Sequence, residues 1–139
     1  MQEKGLYWGY TVRLCNSLSE AISAPCWNEP YDLVVGTSER GSSLTDVIQT
    51  TFSGDASNPS SQPLNAYHHA LVVFGGLSGL EVAVERDPNI NLTADEASEL
   101  FDSWLNVVEG QGSRTIRTEE ALLIALARLK PTLESLGQR

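Results

Sequence analysis

Three short segments of this 139-residue chain combine residue types that can hold a ligand closely: "GTSERG" (Gly36–Gly41), "FGGLSG" (Phe74–Gly79) and "VEGQGSRT" (Val108–Thr115). Glycine removes side-chain bulk and lets a flat ligand approach the main chain. Serine and threonine add hydroxyls, and Arg40, Arg114 and the nearby Arg117 add fixed positive charge. In open α/β sheets, ligands bind beyond the carboxyl ends of the strands. Convergence of three such segments therefore predicts a pocket for an adenine-containing or otherwise polar small molecule. For any one segment, an ordinary turn explains the glycines; the weight comes from three together. Arg114 and Arg117 also precede a helix start, where positive charge opposes the dipole, which points to a use beyond stability.

Other chemistries lack the required spacing. "GGLSG" is not the G-x-G-x-x-G of dinucleotide sites, and no G-x-x-x-x-G-K-[ST] phosphate loop occurs. Ser38 beside Glu39 and Arg40 is not a G-x-S-x-G elbow, which argues against a hydrolase. His68 and His69 have no further ligands at suitable spacing, and Cys15 and Cys26 form no C-x-x-C, so no metal site is expected. Glu119 and Glu120 read as first-turn acids rather than catalytic carboxylates.

The elements that must position these segments alternate. "LYWGYTVRL" (Leu6–Leu14) reads as a strand, and "NSLSEAISA" as a helix capped by Asn16 or Ser17 and closed by Pro25 and Pro30. "YDLVVGTSERG" is a buried strand that stops at a polar loop. Residues 42–67, rich in Ser, Asn, Pro and Gly, are expected to form a mobile surface loop with a short helix near Thr45–Thr51. "HHALVVFGGLSGLEVAVE" is a strand, glycines and a helix, with Leu77, Leu80, Glu81 and Val84 at helical spacing. Thr93 caps a further helix, and "SWLNVV" is a strand. The last helix starts at Arg117 or Thr118, carries Leu122, Leu123, Leu126 and Leu129 as its core stripe, and meets Pro131 near its end. This order predicts an α/β domain with a largely parallel sheet.

Bulk properties narrow the partners. Hydrophobic residues make up 41% of the chain and the formal net charge is -9. Such a balance argues against nonspecific nucleic-acid binding by this chain alone, because phosphate affinity comes mainly from Lys and Arg. Arg13, Arg40, Arg114 and Arg117 lie in or beside polar, glycine-bearing segments and leave room for local positive sites. No apolar run reaches the length of a membrane span. The two cysteines are expected to stay reduced in an intracellular compartment, with a disulfide between them as the alternative.

"YWGYTVR", "YDLVVGTSERG", "HALVVFGGLSGLE" and "GQGSRTIRTEEALLIAL", in this order, resemble the C-terminal part of the SPOUT-class RNA methyltransferases. The closest likeness is to the subfamily with an OB-like domain inserted into the methyltransferase domain, which includes a eukaryotic member also described as a centromere protein. The resemblance implies a trefoil-knotted α/β fold, S-adenosylmethionine bound in the knot, and a homodimer with the pocket near its interface. The three cofactor loops would be Thr37–Gly41, Phe74–Leu77 and Asn106–Thr118. Carried over residue by residue, the cofactor contacts would be Thr37, Arg40, Gly75, Gly76, Leu77 and Asn106, with Gly112, Ser113, Ile116 and Thr118 from the knot loop. Family members have an N-terminal segment and the OB-like insert ahead of the part matched here. The chain is therefore expected to be a C-terminal portion, incomplete as an enzyme, with much of the RNA-binding surface elsewhere. By the same resemblance it would act in the nucleus or cytoplasm, or at the spindle or kinetochore.

The implied reaction is methyl transfer to an RNA base, with uridine N3 in rRNA as one acceptor. Arg40 or Arg114 would orient the base or a phosphate, and Glu81 is a candidate base for a ring-nitrogen proton. Two readings stay open beside it: a non-catalytic cofactor-binding or dimerisation scaffold on this fold, and a generic α/β small-molecule enzyme.

Overall fold

The computed structural model describes residues 12–23, 29–53, 63–76, 79–110, 112 and 116–137. The expected strand at Leu6–Leu14 falls mostly outside them; Val12 and Leu14 are exposed and in no regular element. The elements are α1 (Leu18–Ser23), β1 (Leu33–Ser43), α2 (Leu44–Ser53), β2 (Ala70–Val73), α3 (Leu80–Arg86), a 3₁₀ helix (Ala94–Leu100), β3 (Ser103–Asn106) and α4 (Thr118–Leu136). The strands form one sheet in the order β2-β1-β3, and both pairings are parallel.

The apolar run that opens β1 explains its central place. Leu33, Val34 and Val35 are all buried, as a parallel strand covered on both faces requires. Leu33 and Val35 join Leu44 and Val47 of α2 and Ala125 and Leu129 of α4 in one core. Val34 points the other way, into a second core with Leu80 and Val84 of α3 and Ala97 and Phe101. The result is three layers, helix on sheet on helix. Main-chain caps fix the strand starts: Asp32 accepts from the amides of His68 and His69, and Asp102 accepts from the Val34 amide at 2.7 Å. The His68 and His69 amides hold the Asp32 carboxyl below its ordinary range.

Gly36 pairs with Trp104 across the β1–β3 ladder. A Cβ there would lie 2.6 Å from the Trp104 ring and 2.8 Å from the Phe101 ring. These two rings are stacked with centroids 5.3 Å apart. Gly36→Ala is expected to cost about 1–3 kcal/mol by overpacking. A urea melt reads this as a lower midpoint, and an unchanged midpoint would mean the stack moves aside freely.

The structure departs from the sequence reading in three places. The segment 42–67 holds the expected short helix, as α2 over Leu44–Ser53, and more order than a surface loop besides: β1 runs on to Ser43, and Leu64 is buried in the main core. The reason is the apolar phase of α2, which buries Leu44, Val47 and Thr50. Residues 54–62 lie outside the described set. Second, Thr93 does start a helical turn, its amide and hydroxyl both donating to Glu96, but the turn is 3₁₀.

Third, of the stripe expected on α4, Leu129 is buried but Leu122, Leu123 and Leu126 are not. Ala125, Leu129 and Thr132 point inward, while Leu122, Leu123 and Leu126 are exposed, Leu123 at 69%. Pro131 sits inside the helix, which continues to Leu136. Proline removes one main-chain donor, and the last turn is held by other means. The Tyr67 hydroxyl donates to the Leu133 carbonyl at 2.7 Å, and the Tyr67 amide donates to Leu136.

Candidate functional site

β1 is continuous in its pairing only to Thr37. Both Thr37 and Ser42 face Leu105 of β3, so Ser38–Gly41 bulge out of the ladder. Gly41 is the residue that permits this, since a Cβ there would lie 2.5 Å from the Leu105 main chain. The bulge lifts Ser38, Glu39 and Arg40 over the carboxyl ends of the strands. There they meet the segment after β2 and the segment after β3.

The three segments enclose a cavity of about 340 Å³. Of the residues singled out in the sequence, Thr37, Arg40, Gly75, Gly76, Glu81, Asn106, Ile116 and Thr118 all line it. Gly112 is exposed and is not among the lining residues. Leu77, Ser113 and Arg114 lie outside the described residues. The apolar wall was not anticipated: Leu80 and Val82 of α3, Ala94 of the 3₁₀ helix and Ala121 of α4 also line the cavity.

Hydrogen bonds fasten the wall. Thr37 donates to the Val73 carbonyl at 2.9 Å and so ties β1 to β2 at the cavity floor. Thr118 donates to the Gly75 carbonyl at 3.0 Å, which brings the start of α4 onto the glycine segment. Asn106 donates to the Glu39 carbonyl and accepts from the Val108 amide. Its amide group therefore braces the bulge against the exit of β3, rather than lying free for a ligand.

The glycines divide by role. A Cβ at Gly75 would collide with the main chain of Gly79 and Leu80. Gly75 is thus required by the protein's own close approach. At Gly76 a Cβ would meet none of the described residues within 4 Å, so its bareness leaves space in the cavity.

Charge is concentrated at one end. Glu81, with its side chain 15% exposed, accepts from the Ser38 hydroxyl at 2.9 Å. Arg40 stands 3.8 Å from Glu81 and 3.8 Å from Asp95. The Ser38 hydroxyl oxygen also accepts from the Arg40 amide at 3.1 Å, so one side chain orders both the carboxylate and the loop.

A second cluster, not foreseen from the sequence, anchors the segment after β3. Glu109 accepts from the Ser43 hydroxyl at 2.6 Å and from the Thr45 amide at 3.0 Å, at the start of α2. Arg128 of α4 donates to the same carboxylate, to the Val107 carbonyl and to the Thr45 hydroxyl. Partial burial works to raise the Glu109 pKa; the bonds from Arg128, Ser43 and Thr45 outweigh it and hold the carboxyl far below its ordinary range.

Among the described residues, no three His, Cys, Asp or Glu side chains converge as a metal site would need, and no helix is long and apolar enough to cross a membrane.

A family model described as "Putative RNA methyltransferase" matches residues 1–129. The mouse protein named "28S rRNA (uridine-N(3))-methyltransferase" is 49% identical over 135 residues, covering 97% of this chain and 31% of that protein. The human protein of the same name gives the same identity and coverage. The Drosophila melanogaster protein of that name is 44% identical over 133 residues, covering 96% of this chain and 24% of its own length. The chain thus spans about a third or less of these curated relatives. With the family match running over residues 1–129 of 139, the chain belongs to this family of RNA methyltransferases.

Proposed function

We propose that this chain forms the cofactor-binding portion of an S-adenosylmethionine-dependent methyltransferase that modifies uridine N3 in rRNA. The observation that carries the reading is the cavity at the carboxyl ends of three parallel strands, walled by all three glycine-bearing segments. Its size lies within the range of small-molecule sites, at about 300–1,000 Å³. The residues present suit the cofactor. Phe74, Leu80, Val82 and Ile116 offer an apolar wall for an adenine ring, Gly76 leaves space beside the main chain, and the Glu81 carboxylate complements a positive sulfonium. The relatives' printed names supply the acceptor, uridine N3 of 28S rRNA.

When bound, the cofactor supplies an activated methyl group, so the protein contributes positioning and electrostatics. Uridine N3 carries a proton that must leave. Glu39 and Glu81 both line the cavity; Glu81 is the half-buried one, held in place by the Ser38 hydroxyl, and it can accept this proton. As the proton leaves, negative charge spreads to the uracil carbonyl oxygens, and Arg40 stands beside Glu81 to stabilise it. Arg114 is a second cation for the RNA, carried from the family resemblance. The knot is proposed for the passage from Glu109 to Thr118.

Calorimetric titration of the chain with S-adenosylhomocysteine tests the pocket. Saturable binding is expected, and no heat or thermal shift at millimolar ligand would sink the assignment. Binding without methyl transfer from the whole protein to uridine-bearing rRNA would favour the scaffold reading.

Dimerisation belongs to the same proposal. The row Leu122, Leu123 and Leu126 on α4 leaves apolar surface in water that a second copy would cover. Burying one leucine contributes about 1.5–3 kcal/mol. Replacing Leu123 and Leu126 together with Glu is expected to convert a dimer to a monomer in light scattering. A parent chain that is already monomeric at high micromolar concentration would refute the dimer.

A further inference from the structure

A smaller depression of about 250 Å³ adjoins the main cavity. It shares Arg40, Glu81 and Ala94 with that cavity and adds Asp95, Ser98 and Trp104. We infer that this depression is the subsite for the target base, and that Glu81 and Arg40 form its reader for uracil. The inference rests on the methyltransferase reading above, and it adds where the acceptor sits and what selects it.

Shape comes first. The volume lies below that of sites for drug-sized molecules, which begin near about 300 Å³, and suits a single ring extruded from its strand. One wall is the Trp104 indole. Phe101 stacks on it and Gly36 lies against it too closely for any side chain, so the indole is held in place at the edge of the depression.

Charge decides the class of ligand. Among the described residues, Arg40 is the cation of this depression, and two carboxylates, Glu81 and Asp95, each stand 3.8 Å from it. The depression is therefore net negative. That disfavours a phosphate, for which Arg40 alone would otherwise suggest itself. A neutral ring that presents an N–H donor is favoured.

Polarity then chooses among bases. Uracil shows a donor, N3–H, flanked by two carbonyl acceptors. Glu81 can accept from the donor while Arg40 donates to a neighbouring carbonyl. Cytosine has a lone pair at N3, which would face the Glu81 carboxylate unpaired, and that mismatch penalises it. Because Glu81 lines both spaces, the base edge it reads is the edge turned towards the cofactor cavity. The reading group and the group that accepts the proton are then one carboxylate, held by Ser38.

The test uses the chain with S-adenosylhomocysteine, titrated with uridine and with cytidine. The readout is the Trp104 indole N–H signal in ¹H–¹⁵N spectra, assigned by its loss in Trp104→Phe. Uridine is expected to shift it saturably and cytidine at least about tenfold more weakly. Ser98→Phe, which fills only the smaller depression, should abolish the shift while leaving S-adenosylhomocysteine affinity within about twofold of the parent. Glu81→Gln, whose amide can also donate, should bring cytidine to within about threefold of uridine. Equal shifts from the two nucleosides, or a shift that survives Ser98→Phe, would overturn the subsite with the cofactor site intact. Failure of the unsubstituted chain to bind S-adenosylhomocysteine would instead overturn the methyltransferase reading, and the subsite with it.

Discussion

Gly76→Val is expected to weaken S-adenosylmethionine binding roughly tenfold to a hundredfold, which corresponds to about 1–3 kcal/mol of overpacking in the complex. The thermal midpoint should barely move. A Cβ at Gly76 meets none of the described residues within 4 Å in the free protein, and the residue lines the cavity wall. The added methyls would therefore occupy space that only a ligand needs. Gly75→Val, one position earlier, should behave in the opposite way. There the Cβ overlaps the Gly79–Leu80 main chain, so the start of α3 must shift and stability falls before binding is tested. Paired calorimetry and melting curves separate the two. If Gly76→Val binds as the parent does, the cofactor does not approach this segment and the pocket assignment fails.

The second large effect concerns Glu109. Its carboxylate caps the start of α2 and receives Arg128. Glu109→Ala removes the acceptor for Ser43, Thr45 and Arg128 at once, and its expected cost is about 2–4 kcal/mol. This is below the 3–5 kcal/mol range for breaking a fully buried pair, because Glu109 is 26% exposed and Arg128 is 32% exposed. The same group makes stability depend on acid. Its folded pKa lies below its ordinary value of 4.5, so its stabilisation is fully present above about pH 4.5 and drains away as pH falls below it. The Ser19 and Asn89 amides hold Asp87 low as well, and the His68 and His69 amides hold Asp32 low. Both act in the same direction. Glu109→Gln should therefore flatten, not abolish, the loss of stability between about pH 4.5 and pH 2.5. Denaturant melts at several pH values check this, and an unchanged slope would show that the cluster does not titrate with folding.

Local signals carried the sequence reading where the determining physics was local. Leu33–Val35 and Ala70–Val73 form strands where continuous apolar runs lead into glycines. Thr93 and Arg117 stand just outside helices, and the acids of α4 fill its first turn. The three strand ends do converge on one cavity. What escaped depends on partners distant in the chain. Pro131 looks terminal until Tyr67 is seen holding the turn that follows it. The α4 leucines look like one core stripe by period, yet of Leu122, Leu123, Leu126 and Leu129 just Leu129 is buried, beside Ala125 and Thr132. Glu109 looks like a loop acid, since neither Ser43 nor Arg128 is near it in sequence. Gly75 and Gly76 are the same letter with different neighbours.

The strand order has a consequence for how the chain is made. β1 lies at the centre of the sheet, yet its partners begin at Ala70 and Ser103. A ribosome therefore releases the central strand before either of its neighbours. Pairings so far apart close slowly, because each must first overcome the entropy of a long intervening loop. The run Leu33–Val35 then waits without edges to bond, in the state most prone to misassociation. Pulse-labelled hydrogen exchange during refolding should find the β1 amides protected in step with those of β3. Protection of β1 well before β3 would mean that the centre of the sheet finds its order alone.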